Sequence, residues 1–183
     1  MNRGIFLFAL LFGFAAASVK ADQHDPQLAA LFEVLLHDSD PQALLDAENR
    51  IWALWMEHEY DEVEQLMMAA TQLMNNQRYS DALAIYNGII QRFPDYAEAW
   101  NKRATLFYLA GNFASSISDI QHTLALEPRH FGALSGLGLI YLRQNELRLA
   151  RQAFEDVLKI HPSSASAREN LDLVNRALRN SII

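Results

Sequence analysis

The sequence predicts an all-α protein made of stacked helical hairpins, a solenoid, and three observations carry that prediction. Only 7 Gly and 5 Pro interrupt 183 residues, which favours long regular elements joined by short connections. Three of the prolines, Pro94, Pro128 and Pro162, stand 34 residues apart. Other positions keep step with them: Leu66, Trp100 and Leu134 share one phase, and Ala70, Ala104 and Gly138 share another. A hydrophobic fraction of 51% with 20% charged residues is enough to bury a core. Cysteine is missing, which excludes disulfide frameworks, thiolate metal sites and thiol catalysis. The net charge of -7 makes nucleic acid and anionic lipid poor partners.

The first element, residues 1–21, reads as a secretory leader rather than as part of the fold. Arg3 precedes an apolar run from Ile5 to Ala17, and Val19-Lys20-Ala21 offers a cleavage site after Ala21. Ala15-Ala16-Ala17 offers a second. The uncharged run from Gly4 to Val19 has 16 residues, short of the roughly 18–20 that span a bilayer. A cleaved leader implies a periplasmic or secreted product with no membrane contact. Cleavage after Ala21 would also expose Asp22-Gln23-His24. There a free amine, two backbone amides and an imidazole could wrap a square-planar Cu(II) or Ni(II) ion.

Residues 22–62 are expected to form a helical hairpin. Asp25-Pro26 starts a helix carrying Leu28, Leu31, Phe32 and Leu35, and Asp40-Pro41 starts another carrying Leu44, Leu45, Ile51, Trp52, Leu54 and Trp55. Counting back by 34 puts Phe32 and Trp52 in phase with the repeats, but Glu48 replaces the small residue expected at its place. The pair therefore reads as a degenerate hairpin stacked on the first full unit, with an extension packed elsewhere as the alternative. The two tryptophans read as packing residues.

Three full units follow, at 63–96, 97–130 and 131–164. Ala70 and Ala82, Ala104 and Ser116, and Gly138 and Ala150 are small where the two helices of each unit must cross closely. Leu73, Phe107 and Tyr141, with Tyr86, Ile120 and Phe154, fill the space beside the crossing. The turns carry Asn75-Asn76-Gln77, Gly111-Asn112 and Gln144-Asn145, residues suited to a left-handed backbone. Each proline then closes a second helix. Residues 165–183 form a polar-backed helix through Leu171, Val174 and Leu178, which caps the end of the stack.

This phase pattern resembles the tetratricopeptide repeat family. The segments Ala97–Ala104 and Glu127–Phe131 are similar to those of exported proteobacterial repeat proteins. The resemblance implies a protein–protein interaction or scaffolding module, with a protein or peptide bound on the concave surface. The matching ligand-facing positions are Glu64, Met67, Thr71 and Met74; then Glu98, Asn101, Thr105 and Tyr108; then Gly132, Ser135, Leu139 and Leu142. Packing of Met67, Met74, Leu139 and Leu142 against neighbouring helices is the alternative. One branch of the family grips a terminal carboxylate with cationic residues. Here the matching places hold Met67, Thr71, Lys102, Gly132 and Gly136, so Lys102 alone is a cation and that mode is not expected. Gly132 and Gly136 leave a bare stripe, read either as a contact floor for a ligand or as room for the protein's own packing. Arg103 departs from the family pattern at a position that is usually apolar, and is expected to pair with an acid.

Little else suggests chemistry. No HExxH motif, Gly-rich phosphate loop or cofactor motif occurs. Ser118, Asp119 and His122 share one helix, but a solvated face with a weak ion pair is the simpler reading than a hydrolase. The expectation is a non-enzymatic binding module, with self-association as the rival use of the groove or of the tryptophan-bearing helices.

Overall fold

Helix caps and corner prolines set the boundaries of nine helices among the described residues of this computed structural model, which are 23–180. The helices are α1 (Gln27–His37), α2 (Pro41–Met56), α3 (Asp61–Asn75), α4 (Tyr79–Arg92), α5 (Ala97–Leu109), α6 (Phe113–Leu126), α7 (Phe131–Arg143), α8 (Leu147–Ile160) and α9 (Ala165–Asn180). The leader and its cleavage sites lie outside the described residues, and no described helix is long and apolar enough to cross a membrane. Asp40 caps α2 by accepting from the N–H groups of Gln42 and Ala43, with Pro41 in the first turn, and Asn112 caps α6. Each of the first helices of the three units ends on a left-handed residue: Gln77 at φ 61°, Gly111 at 76° and Asn145 at 59°. These three positions also keep the 34-residue step.

Helices α3 to α8 form three hairpins stacked in order, and α9 follows against α8. The small residues are buried at the crossings, where the Ser116 hydroxyl donates to the Ala104 carbonyl at 2.7 Å. At Gly138 a Cβ would stand 2.7 Å from the Phe154 ring, so a side chain there would force the third hairpin open. The faces between units repeat as well. Ala99, Ala133 and Ala167 are buried in step, and so are Leu106, Ile140 and Val174. Helix α9 therefore stands as the first helix of a fourth unit whose second helix is missing among the described residues.

The α1–α2 hairpin is not stacked on the first unit, contrary to the simpler sequence expectation. Instead α2 touches α5, and α1 touches α8. The hairpin lies along the edge of the solenoid where each second helix turns into the next first helix. Its core joins Leu28, Phe32, Leu35, Ile51, Leu54 and Trp55 to Phe131, Val157 and Ala167. The physical reason is written in α3. Where α5 and α7 carry buried Ala99 and Leu106, or Ala133 and Ile140, α3 carries exposed Gln65 and Gln72. Covering that face would strip water from two amides that have no apolar contact to gain. The array is sealed at its amino-terminal end by its own first helix, and the hairpin goes elsewhere.

Candidate functional site

The edge contact is built from the corners of the repeats. Tyr96 OH donates to the Met56 carbonyl at 2.9 Å at the first corner. At the second, Trp55 stacks on His130 with centroids 4.0 Å apart, and Trp52 meets Phe131 edge-on at 5.2 Å. At the third, His161 pairs with Glu48 at 3.3 Å. Glu48 and Trp55 stand seven positions apart. That is about 10.5 Å along a helix, close to the ~8–10 Å between packed helix axes, so α2 reaches from the second corner to the third. Glu48, the departure from the repeat pattern, is thus the residue that reaches the third corner. Arg129 lies over the Phe32 ring at 4.3 Å and ties α1 to the same edge.

A buried polar cluster anchors the second corner. The His130 ring accepts from the Ala133 N–H on Nδ1, capping α7, so its proton sits on Nε2 and is donated to Glu98 Oε2 at 2.9 Å. Asn101 donates to the same oxygen at 3.0 Å. Lys102 sets its ammonium 3.2 Å from Glu98 Oε1, which has no well-aligned hydrogen bond. Burial pushes the Glu98 carboxyl up, but the His130 and Asn101 hydrogen bonds and the nearby positive charge of Lys102 outweigh it and hold the group below its ordinary range. Glu98 is an anchor of the fold rather than a groove residue.

The concave surface keeps an open groove of about 280 Å³ on α5 and α7, lined by Asn101, Thr105, Tyr108, Ser135, Gly136 and Leu139 among others. These six belong to the positions that the family pattern assigns to the ligand. The rest are placed differently. Met67 and Met74 are buried in the core between α3, α4 and α5, because a long flexible thioether can fold into a gap that Ser135 cannot fill. Thr71 donates its hydroxyl to the Met67 carbonyl at 2.8 Å and lies 3.1 Å from Tyr86 OH. Burial pushes the Tyr86 phenol up to about 12, with the Thr71 hydrogen bond working against it. Glu64 accepts from the His58 N–H at 2.8 Å. Leu142 packs with the α8–α9 cluster. Gly132 lines the groove too, but with the Trp52 ring so close that a Cβ there would collide with it. One turn on, a Cβ at Gly136 meets nothing nearer than Ile120 at 3.6 Å. Of the bare stripe, one half lies beside the protein's own Trp52 ring and the other has room for a side chain.

The remaining candidates are accounted for one by one. Asp119 accepts both hydrogen bonds of the Arg103 fork, at 2.7 and 2.8 Å, so Arg103 finds its acid on α6. The His122 ring bonds the Ser118 carbonyl rather than its hydroxyl and stacks on Trp100 at 4.2 Å. No nucleophile–base–acid relay can run through these three. Asp22 lies outside the described residues. Gln23 binds through its side chain to the Asp95 carbonyl and the Ala97 N–H, and His24 is exposed beside it. Among the described residues no group of three or more His, Asp or Glu is arranged to hold a metal ion.

Comparison with known proteins follows the same outline. The tetratricopeptide repeat model matches residues 67–121 and 110–165. A TPR repeat-containing protein of Rhizobium etli is 36% identical over 152 residues, covering 83% of this chain and 74% of that one. Mitochondrial import receptor subunit TOM34 of Rattus norvegicus is 30% identical over 130 residues, 67% of this chain but only 42% of its own. Among solved structures, the first TPR of Spaghetti (RPAP3), bound to the HSP90 peptide SRMEEVD, is similar with a TM-score of 0.61. It is 22% identical and covers 65% of this chain and 94% of that one. The Sgt2 TPR domain from Aspergillus fumigatus gives a TM-score of 0.62 at 19% identity, over 67% and 82% of the two chains. With three stacked hairpins in a 34-residue step and a family model matched across them, the chain belongs to the tetratricopeptide repeat family.

Proposed function

We propose that this chain is an exported protein-interaction module that receives a partner polypeptide on the concave face of α5 and α7. The observation that carries the reading is the groove itself. The hairpin runs along the edge with its Trp52 ring beside Gly132, and leaves the stretch from Asn101 to Leu139 open. A similar repeat domain, that of Spaghetti, is described with a bound peptide, which supports polypeptide binding as the use of such a surface. The leader-like residues 1–21 support export.

Tail recognition through a terminal carboxylate is not the mode favoured here. Lys102, the cation at a matching place, is already engaged by Glu98. Thr105 is exposed on the groove floor, so Thr105→Arg should block a partner without disturbing the core. The test is capture of partners from extracts of the exported compartment by wild type and by Thr105→Arg. Loss of a specific partner in the variant supports the groove, and retention of every partner sinks it. The intact mass of the protein recovered from that compartment tests export, a product lacking residues 1–21 being expected.

A further inference from the structure

The third corner, where the hairpin meets the loop between α8 and α9, holds a pocket of about 380 Å³ that is separate from the groove. Glu48, Leu44 and Leu45 line it from α2, and His161, Ser163, Ser164 and Ser166 line it from the loop and the first turn of α9. His161 is buried, and its ring meets that of Phe131 at 5.5 Å, which fixes its plane. Its Nε2 lies 3.3 Å from Glu48 Oε2. A carboxylate only accepts, so the ring proton sits on Nε2 and Nδ1 keeps a free lone pair. That lone pair faces the Ser163 hydroxyl, with Nδ1 and Oγ 3.2 Å apart. Hydroxyl, imidazole and carboxylate thus form a chain, the order in which a serine is activated as a nucleophile. The neighbouring Ser164 is spent differently: its hydroxyl accepts from the Ala167 N–H and lies 3.4 Å from the Ser166 hydroxyl. The Ala165 and Ser166 N–H groups, in the first turn of α9, have no acceptor within the helix. Both residues border the pocket, where an oxygen gaining negative charge would find these donors.

We propose that this corner is an acyl-transfer site that hydrolyses short-chain esters, with Ser163 as nucleophile and His161 as base. Ser163 Oγ bonds to the ester carbonyl carbon as its proton passes to His161 Nδ1. The carbon–oxygen bond to the alcohol then breaks, and His161 gives the proton to the departing oxygen. Water repeats the sequence on the acyl group: it yields a proton to Nδ1 and bonds to the acyl carbon. The acid is released, and Ser163 Oγ takes the proton back. Glu48 is a positioning residue, which holds the tautomer and balances the imidazolium that forms between the two transfers. Pro41, Leu44 and Leu45 give the acyl chain an apolar wall, and the size of the pocket limits its length. Because α2 supplies both Glu48 and this wall, the site exists only where the hairpin is docked on the edge, and it does not depend on the groove.

The full chain is treated with p-nitrophenyl acetate and, separately, with an alkyl fluorophosphonate, and peptide mass spectrometry locates the adducts. Wild type is expected to release p-nitrophenol with turnover and to carry the phosphonyl group on Ser163, fluoride having left. Ser163→Ala should abolish both turnover and adduct at an unchanged unfolding midpoint. His161→Gln should slow both reactions by about a hundredfold. Should that variant not fold, Glu48→Gln decides in its place. The glutamine carbonyl still accepts from the Nε2–H, so a purely structural Glu48 would tolerate the change, whereas the positioning role requires kcat to fall with KM unchanged. Adducts on a lysine, on a histidine or on another serine in place of Ser163 overturn the proposal. So do hydrolysis that survives Ser163→Ala and the absence of any reaction. None of these outcomes bears on partner capture through the groove.

Discussion

His130 lies flat against Trp55, its ring 11° from parallel and 4.0 Å away, while its Nε2–H is spent on Glu98. One side chain thus holds the cap of α7, the carboxylate of α5 and the indole of α2 at a single point. Repeat solenoids gain stability mostly from nearest neighbours. This corner adds a contact that reaches across units, because α2 touches several corners at once.

Removing His130 should therefore cost more than a lost helix cap. His130→Ala leaves buried Glu98 with Asn101 and Lys102 only, and a hydrogen bond to a charged group is worth about 1.5–3 kcal/mol in addition to the cap. Urea unfolding at neutral pH measures it, and a loss near the ~1 kcal/mol of a simple cap would contradict the anchor role. Acid sensitivity gives a second reading. Glu98 is held below its ordinary value of 4.5, so it stays ionised in the folded chain where the unfolded chain has begun to take up protons. Its stabilisation is complete above that ordinary value and disappears as pH falls through the lowered one. Glu98→Gln should shrink the difference in unfolding midpoint between pH 7 and pH 3. An unchanged difference would place the acid sensitivity elsewhere.

The two open-helix glycines of α7 should respond in opposite directions to the same substitution. Alanine in place of glycine stabilises a helix by about 1 kcal/mol when there is room. Gly136 has that room, with Ile120 at 3.6 Å, so Gly136→Ala should raise stability by roughly that amount. At Gly132 the new methyl meets Trp52, and overpacking of this kind costs about 1–3 kcal/mol. Gly132→Ala should therefore destabilise, and Trp52→Ala should recover part of the loss in a double-mutant cycle. Thermal unfolding of the wild type and these four variants decides. Additive effects of the two changes would mean that the ring and the glycine are not coupled.

The repeats were legible because each hairpin solves the same packing problem with the same residue types 34 positions later. Ala70, Ala104 and Gly138 announce the crossings, and the left-handed turns at 77, 111 and 145 fall where Asn, Gly and Gln had marked them. The place of the hairpin was less legible. Its partners, His130, Phe131 and His161, are single residues at corners whose proximity exists only after the stack has formed. The signal that could have found it is negative and lies in α3, where two glutamines stand at positions that are apolar in every other first helix. Groove membership was half legible, because the family pattern fixes a face but not the fate of a long side chain. Asn101 and Ser135 share a phase with Met67, yet the methionine belongs to the apolar core while the other two line the groove.

Those glutamines make the last expectation. If Gln65 and Gln72 seal the amino-terminal end, then Gln65→Ala with Gln72→Leu recreates the surface that α5 and α7 bury, here with nothing in the described chain to cover it. Leu66 and Leu73, half-buried on the same helix, would join it into a continuous apolar patch. The substituted residues are exposed, so the fold should persist, with stability within about 0.5 kcal/mol of wild type. The consequence should appear instead as association that grows with concentration, read by static light scattering against the wild type. A double variant that scatters like the wild type at every concentration would mean that the two amides do not guard this end. The displacement of the hairpin to the edge would then need another cause.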